Sequence, residues 1–295
     1  MRRRRSVRGA SLLALAVFAT LIVHGRHADA GPWVAAPGHG YAKLWMRWLA
    51  GSGYHDGEGR GQSLPLYHEL TFSGYAELSV AERLGLWLHA PMLQSFFLRD
   101  PRSGRIGSHV TVGDPQLGLR VAALRRGRLA LAVEAGVRFP LAPAREVQEV
   151  YSTEEGMPRL GDLRIGAGVW DVQWGLALGY SWRRFYAAGS AGYLLRTRGY
   201  AHAALWTAEG GVSFLRPFAV RARLTGRHPL PVGDAPLSES PSGVGNGTSY
   251  VGLALEGDWR FTSHLALVAS LEGGLGAVRR QAGGPVISLG VAASW

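Results

Sequence analysis

The sequence predicts an all-β protein: a single up-and-down antiparallel barrel of about 12 strands (range ~10–14) that crosses a membrane. Three observations predict it. Apolar and polar residues alternate with period two through segments of roughly ten residues. The breaks between these segments alternate short and long. Beyond the N-terminus, no stretch approaches the ~20 successive apolar residues of a spanning helix.

The first 30 residues are set apart. Residues 1–8 are basic, 11–23 form an apolar core, and Ala28-Asp29-Ala30 places small residues where a signal peptidase inspects them. A cleavable signal peptide over 1–30 is expected, cut before Gly31. The core is too short for a spanning helix, although an uncleaved anchor is the alternative. Residues 31–40, polar and rich in Gly and Pro, are expected as a short periplasmic lead. The barrel then occupies 41–295, without a linker, a second domain or a plug domain.

The expected strands are 41–50, 66–79, 83–93, 115–124, 129–139, 171–181, 185–195, 204–214, 218–228, 249–259, 264–273 and 285–295. The pattern is clearest from Leu129 on. Leu129, Leu131, Val133, Ala135, Val137 and Phe139 share one face, and Ala130, Ala132, Glu134, Gly136 and Arg138 the other. Tyr67 to Val80 is equally regular. Short breaks fall near 80–82, 125–128, 182–184, 215–217 and 260–263. Long ones fall at 51–65, 94–114, 140–170, 229–248 and 274–284, with 196–203 intermediate. Tight periplasmic turns and longer outer loops give this asymmetry. Residues 163–169 alternate weakly, which leaves room for a short outer hairpin within 140–170. The segment Gly243-Val244-Gly245-Asn246-Gly247-Thr248-Ser249 contains a nominal glycosylation triplet and is read as a flexible loop.

Alternation alone does not say which face meets lipid. A barrel of about 12 strands is too wide for the side chains of one face to fill as an apolar core. The polar face carries whole charges, among them Glu69, Glu77, Arg120, Glu134, Arg138, Glu209, Arg221, Arg223, Glu256 and Glu272. Aromatics collect at the short-turn end (Tyr180, Trp182, Phe185, Phe214, Phe218, Trp259, Phe261, Trp295), where an interfacial girdle belongs. A looser set lies toward the long loops: Trp48, Phe72, Phe139, Tyr193 and Trp206. The expectation is apolar-out. A soluble β-sandwich or barrel with aromatics in its core is the competing reading.

Composition narrows the function. There is no cysteine, hence neither disulfide framework nor thiolate metal site. The formal charge of +11 includes +5 from residues 1–30, leaving +6 spread over alternating segments. That is no basic patch for nucleic acid. No phosphate-binding GxxxxGK[ST] loop occurs, and the ten histidines lack metal spacing. No metal or cofactor is expected. A lipid hydrolase would need a serine activated by an oriented histidine. Ser108 and His109 are adjacent and so point to opposite faces, Ser73 has the wrong parity for His68, and His89 has no serine or carboxylate that can be placed beside it. The expectation is no enzyme.

The inward charges are the candidate site. If Gly127 centres its turn, Arg120 opposes Glu134 and Gln116 opposes Arg138. The same arithmetic around Leu215 sets Glu209 opposite Arg221 and Thr207 opposite Arg223. Such pairs stabilise by about 0.2–1 kcal/mol each. They either brace the wall and fill the interior or, as rows of Arg138, Arg221, Arg223 and Arg227, form a cationic constriction selecting anionic or polar solutes.

The last segment carries Ile287, Leu289, Val291, Ala293 and Trp295 on one face, and the chain's final residue is aromatic. Such a strand resembles the assembly signal of bacterial outer-membrane β-barrels, with Ile287, Leu289, Val291 and Trp295 as the residues presented to the barrel-assembly machinery. The segments Gly113-Asp114-Pro115-Gln116-Leu117-Gly118-Leu119-Arg120-Val121, Glu134-Ala135-Gly136-Val137-Arg138-Phe139-Pro140, Trp170-Asp171-Val172-Gln173-Trp174-Gly175-Leu176 and Gly192-Tyr193-Leu194-Leu195-Arg196 resemble the outer-membrane transporters named after the meta-cleavage pathway of phenol degradation. More distantly they resemble hydrophobic-compound channels of the fatty-acid-transporter type, whose N-terminal hatch this chain lacks. The resemblance implies a Gram-negative outer-membrane channel or transporter for small solutes, aromatic or otherwise hydrophobic, seated in lipid. It carries over no site residue. The rival readings are a structural or interaction barrel with a filled lumen and an outer-membrane lipid hydrolase.

Overall fold

A computed structural model describes residues 31–99, 106–144, 164–215, 217–238 and 240–295. The expected signal peptide lies outside these residues, as do Leu163 and most of the 140–170 break. Fourteen strand segments build the wall: β1 (Gly40–His55), β2 (Gly61–Ala81), β3 (Leu84–Arg99), β4 (Ile106–Thr111), β5 (Gln116–Arg126), β6 (Leu129–Arg138), β7 (Asp171–Trp182), β8 (Phe185–Arg196), β9 (Ala203–Leu215), β10 (Phe218–Pro229), β11 (Ser249–Arg260), β12 (Leu265–Arg279), β13 (Gln281–Gly283) and β14 (Val286–Ser294). β4 and β5 both pair with β3, one after the other, and so form one interrupted stave. β13 and β14 do the same against β1. The result is a closed antiparallel barrel of 12 staves, sealed where β1 meets β14.

The expected strands all appear, and several are longer. Residues 51–55 and 61–65 were expected as loop because they are polar and glycine-rich. They continue the β1–β2 ladder beyond the apolar belt, pairing Tyr54 with Gln62 and His55 with Gly61. Backbone pairing satisfies N–H and C=O groups whatever the side chains, so composition underestimates such a hairpin. Its turn is tied by Asp56, whose carboxylate accepts from the amides of Glu58 and Arg60 and from the Arg60 guanidinium. Likewise β3 runs on to Arg99 against β4 within the expected 94–114 break. Pro115, with no N–H to donate, marks where that stave is interrupted.

Apolar side chains face outward on every stave. Leu178, Leu176, Val133, Leu255 and Leu271 are exposed, while Ala130, Ala132, Ala177 and Val268 on the opposite parity are buried. The short-turn end carries exposed Tyr180, Trp182, Phe185, Phe218, Trp259 and Phe261. Trp182 stacks on Phe185 across its hairpin, and Arg183 lies over the Trp182 ring. That pairing of aromatic and cation suits a lipid–water boundary. Trp295 departs from the expected girdle, being only 8 % exposed. It follows the end of β14 and packs over Gly40, where any side chain would collide with the indole. Its carbonyl accepts from the Gly40 amide at 3.1 Å and from His39 at 3.0 Å.

Candidate functional site

The interior is filled in layers. At the short-turn end, residues 31–34 of the expected periplasmic lead run into the barrel mouth. Trp33 meets Tyr186 edge-on at 6.0 Å, Pro32 and Trp33 lie against Gly179, and Val34 is buried. All these wall positions have inward parity. Further in, the Trp87 indole lies across Gly118 and Gly136, which leave room for it. Toward the long loops a small apolar cluster forms inside the barrel from Leu49, Tyr54, Leu64, Tyr67, Phe96 and Leu98, joined by Ile165 from the β6–β7 connection.

The β10–β11 connection also folds inward. The expectation of a flexible loop at Gly243–Ser249 is overturned: Asn246, Thr248 and Ser249 are buried. The Asn246 side chain donates to the carbonyls of Ala235 and Pro236 and accepts from the Ala201 amide. Buried amide groups demand partners, and here they tie one loop to the next.

Between these layers stand the inward charges. Arg120 does oppose Glu134, donating from Nε at 2.6 Å, and also reaches Glu77 at 3.3 Å. Gln116 opposes Arg138. Around the β9–β10 turn the expected register fails. Phe218 pairs with Leu215, so the hairpin is centred beyond Leu215; a bulge between Phe218 and Ala219 takes back one position, and the facing row ends two positions from the expected one. Glu209 therefore faces Arg223, which binds it, and Thr207 faces Thr225. Arg221 faces Gly211 on one side and Glu256 on the other. Arg138 donates to Asp171 at 3.1 Å.

The row of arginines is thus no bare cationic ring. Arg120, Arg138, Arg221 and Arg223 all hold carboxylates, and only Arg227 of the expected set has no ion pair among the described residues. Sequence reasoning did not place Lys43, Asp171, Arg196 or Asp258 in the site. Their inward parity was the available signal. Their ion pairs, Lys43 with Glu256, Asp258 with Arg221, and Asp171 with Arg138 and Arg196, depend on which staves are neighbours, which parity does not give. The assembly-signal residues Ile287, Leu289 and Val291 lie exposed on the lipid face of β14.

Two cavities lie within the barrel. One, of about 260 Å³, opens at the short-turn end and is bordered by Trp33, Tyr41, Tyr186, Arg221 and Asp258. The other, of about 940 Å³, lies toward the long loops and is bordered by Arg47, Glu69, Arg221, Arg223, Arg227 and Glu256. Arg221 borders both. It donates from Nε to Glu256 at 2.8 Å and from Nη2 to both oxygens of Asp258 at 3.1 Å, while Lys43 donates to the other Glu256 oxygen at 2.8 Å. Two cations and two carboxylates, each about 15 % exposed, therefore form a neutral septum between the cavities.

The histidines weighed for catalysis are occupied otherwise. His89 stacks nearly parallel on Trp45 at 5.6 Å, and His68 stacks on Trp48 at 5.7 Å.

No protein-family model matches the sequence, and no curated protein matches it. Solved structures do match the barrel. An outer-membrane channel from Pseudomonas putida aligns with a TM-score of 0.58 and 13 % identity, over 91 % of this chain and 100 % of that one. The chain has the fold of outer-membrane β-barrels. The NanC porin aligns with a TM-score of 0.50 and 8 % identity, over 85 % of this chain and 98 % of that one. At these identities the likeness is one of fold.

Proposed function

We propose that the protein is a passive channel for small solutes in the outer membrane, exported by cleavage before Gly31. The observation that carries this reading is the position of Arg221. One ion-paired side chain borders both cavities, so a solute passing from one to the other meets the Lys43–Arg221–Glu256–Asp258 septum. Charges lining a narrow passage select what passes it. The short motifs shared with the phenol meta-pathway transporters favour an aromatic or otherwise hydrophobic solute. The polar lumen favours one that also bears a polar group. The reading is one of passage and not of catalysis.

A second reading has its own observation. Residues 31–34, Ile165 and the inward β10–β11 connection occupy the two mouths, as in a filled barrel acting through its outer loops. Reconstitution separates the two. Solute flux into liposomes, raised or altered in selectivity by Arg221→Ala or Arg138→Ala, is the expected result. Liposomes that stay sealed, with the barrel still shifting on a gel when heated, would refute the channel and favour the filled barrel.

A further inference from the structure

Most inward ion clusters hold at least one carboxylate per cation, and in one place the cations are in excess. Asp171, buried at 2 % exposure, accepts from Arg138 on one oxygen and from Arg196 on the other. Both oxygens are then engaged. Arg227 lies close enough to feel Arg196, Arg138 and Asp171, yet pairs with no carboxylate among the described residues. Its Nε is buried without a hydrogen-bond partner. Two guanidiniums thus use up the one carboxylate, and Arg227, half-buried beside them with its Nε out of water, has no counter-charge of its own, an arrangement that favours an added anion.

Arg227 borders the larger cavity, together with Arg223 and Thr225 on the same face of β10. Arg223 gives Nε to Glu209, and its side chain is 44 % exposed, which leaves the rest of its fork to the cavity. The carboxylates bordering that cavity are already taken. Glu69 and Glu272 are held by Arg47, Glu256 by Lys43 and Arg221, and Glu58 by Arg60. On the β10 side the cavity therefore offers a mobile anion two guanidinium forks, while each carboxylate on its border has a cation within 4.0 Å. Planar oxyanions match such forks by paired hydrogen bonds.

We propose that Arg227, with Arg223, forms a binding site for the carboxylate group of a small organic solute in the larger cavity. The proposal deepens the channel reading and relies on it only for the route of entry. Binding is therefore measured without transport, by calorimetric titration of the intact barrel in detergent micelles. Sodium benzoate is expected to bind saturably and neutral benzamide not to. Arg227→Gln is expected to weaken benzoate by about tenfold or more, with Arg227→Lys recovering part of the loss. Arg125→Gln, exposed at the end of β5, serves as the control with unchanged affinity, and gel shift on heating verifies each fold. Phosphate displacing benzoate makes the site a general oxyanion site, and phosphate failing to displace it restricts the site to carboxylates; either supports the proposal. Benzamide binding as tightly as benzoate, Arg227→Gln binding like the wild type, or no saturable heat at all overturns it. A barrel that binds benzoate yet seals liposomes refutes the channel alone, and one that conducts without binding refutes this site alone.

Discussion

Replacing Glu256 by Gln should cost the barrel much of its margin of stability, for a reason visible in the septum. The Glu256 carboxylate accepts from Lys43 and from Arg221 Nε, both at 2.8 Å. Without its charge, Lys43 and Arg221 confront Asp258 alone, two cations against one anion. Removing one partner of a buried ionic cluster costs about 3–5 kcal/mol. The side chains are about 15 % exposed and border water-sized space on two sides, so the lower end, about 3 kcal/mol, is expected. Urea unfolding of the protein in phosphatidylcholine vesicles, followed by tryptophan fluorescence, measures it. If excess positive charge is the cause, Lys43→Met introduced into Glu256→Gln should restore stability, with a coupling of at least ~1 kcal/mol. The channel of the single variant should also shift toward anions. A single variant within ~0.5 kcal/mol of wild type, or simple additivity of the two substitutions, would refute the reasoning.

The lipid face makes a second prediction. Leu289 on β14 is 59 % exposed toward acyl chains, and Leu289→Arg should destabilise the folded barrel in vesicles by about 2–4 kcal/mol if it lies near mid-membrane; no measurable loss would place this face in water. The β1–β2 turn makes a third. Burial pushes the Asp56 carboxyl up, but the Arg60 amide, the Arg60 guanidinium and the Glu58 amide outweigh it and hold it below the usual carboxylate range. A carboxyl depressed in the folded state contributes stability that is present above its unfolded value of about 3.9 and lost as pH falls through the lower folded value. Amide exchange at Glu58 and Arg60 should accelerate in that acidic window, and Asp56→Asn should remove the dependence. Exchange that is flat with pH in the wild type would show that the carboxylate does not hold the turn.

Much of the wall was legible because period two is imposed twice over, by lipid on one face and by the lumen on the other. The stretch Leu129 to Arg138 shows this, since Leu129, Leu131, Val133 and Val137 alternate with residues that are small or charged. Both hairpins carry a bulge, at Ala122–Leu124 and at Phe218–Ala219, so the outcome turned on the assumed centre. Gly127 gave the right facing row for Arg120 and Glu134, whereas the β9–β10 turn is centred beyond Leu215 and no side chain marks it. Hairpin extensions such as Tyr54 opposite Gln62 were hidden because backbone pairing beyond the lipid belt leaves no side-chain signature. The septum was hidden for a different reason. Lys43 lies 213 positions from Glu256, and only closure of the cylinder brings them together. The burial of Asn246 depends in the same way on partners in another loop, and so a glycine-rich segment that looked mobile is a pinned one.

The seam between β1 and β14 joins nine residue pairs whose members lie some 250 positions apart along the polypeptide. Until that seam zips, both flanking strands carry open backbone donors and acceptors that hydrocarbon cannot satisfy. A barrel lacking one stave is therefore no slightly weaker barrel but an unsealed sheet in oil. Insertion and sealing must accordingly proceed as one all-or-none event, late in folding, with the longest loop closure in the molecule as its entropic hurdle.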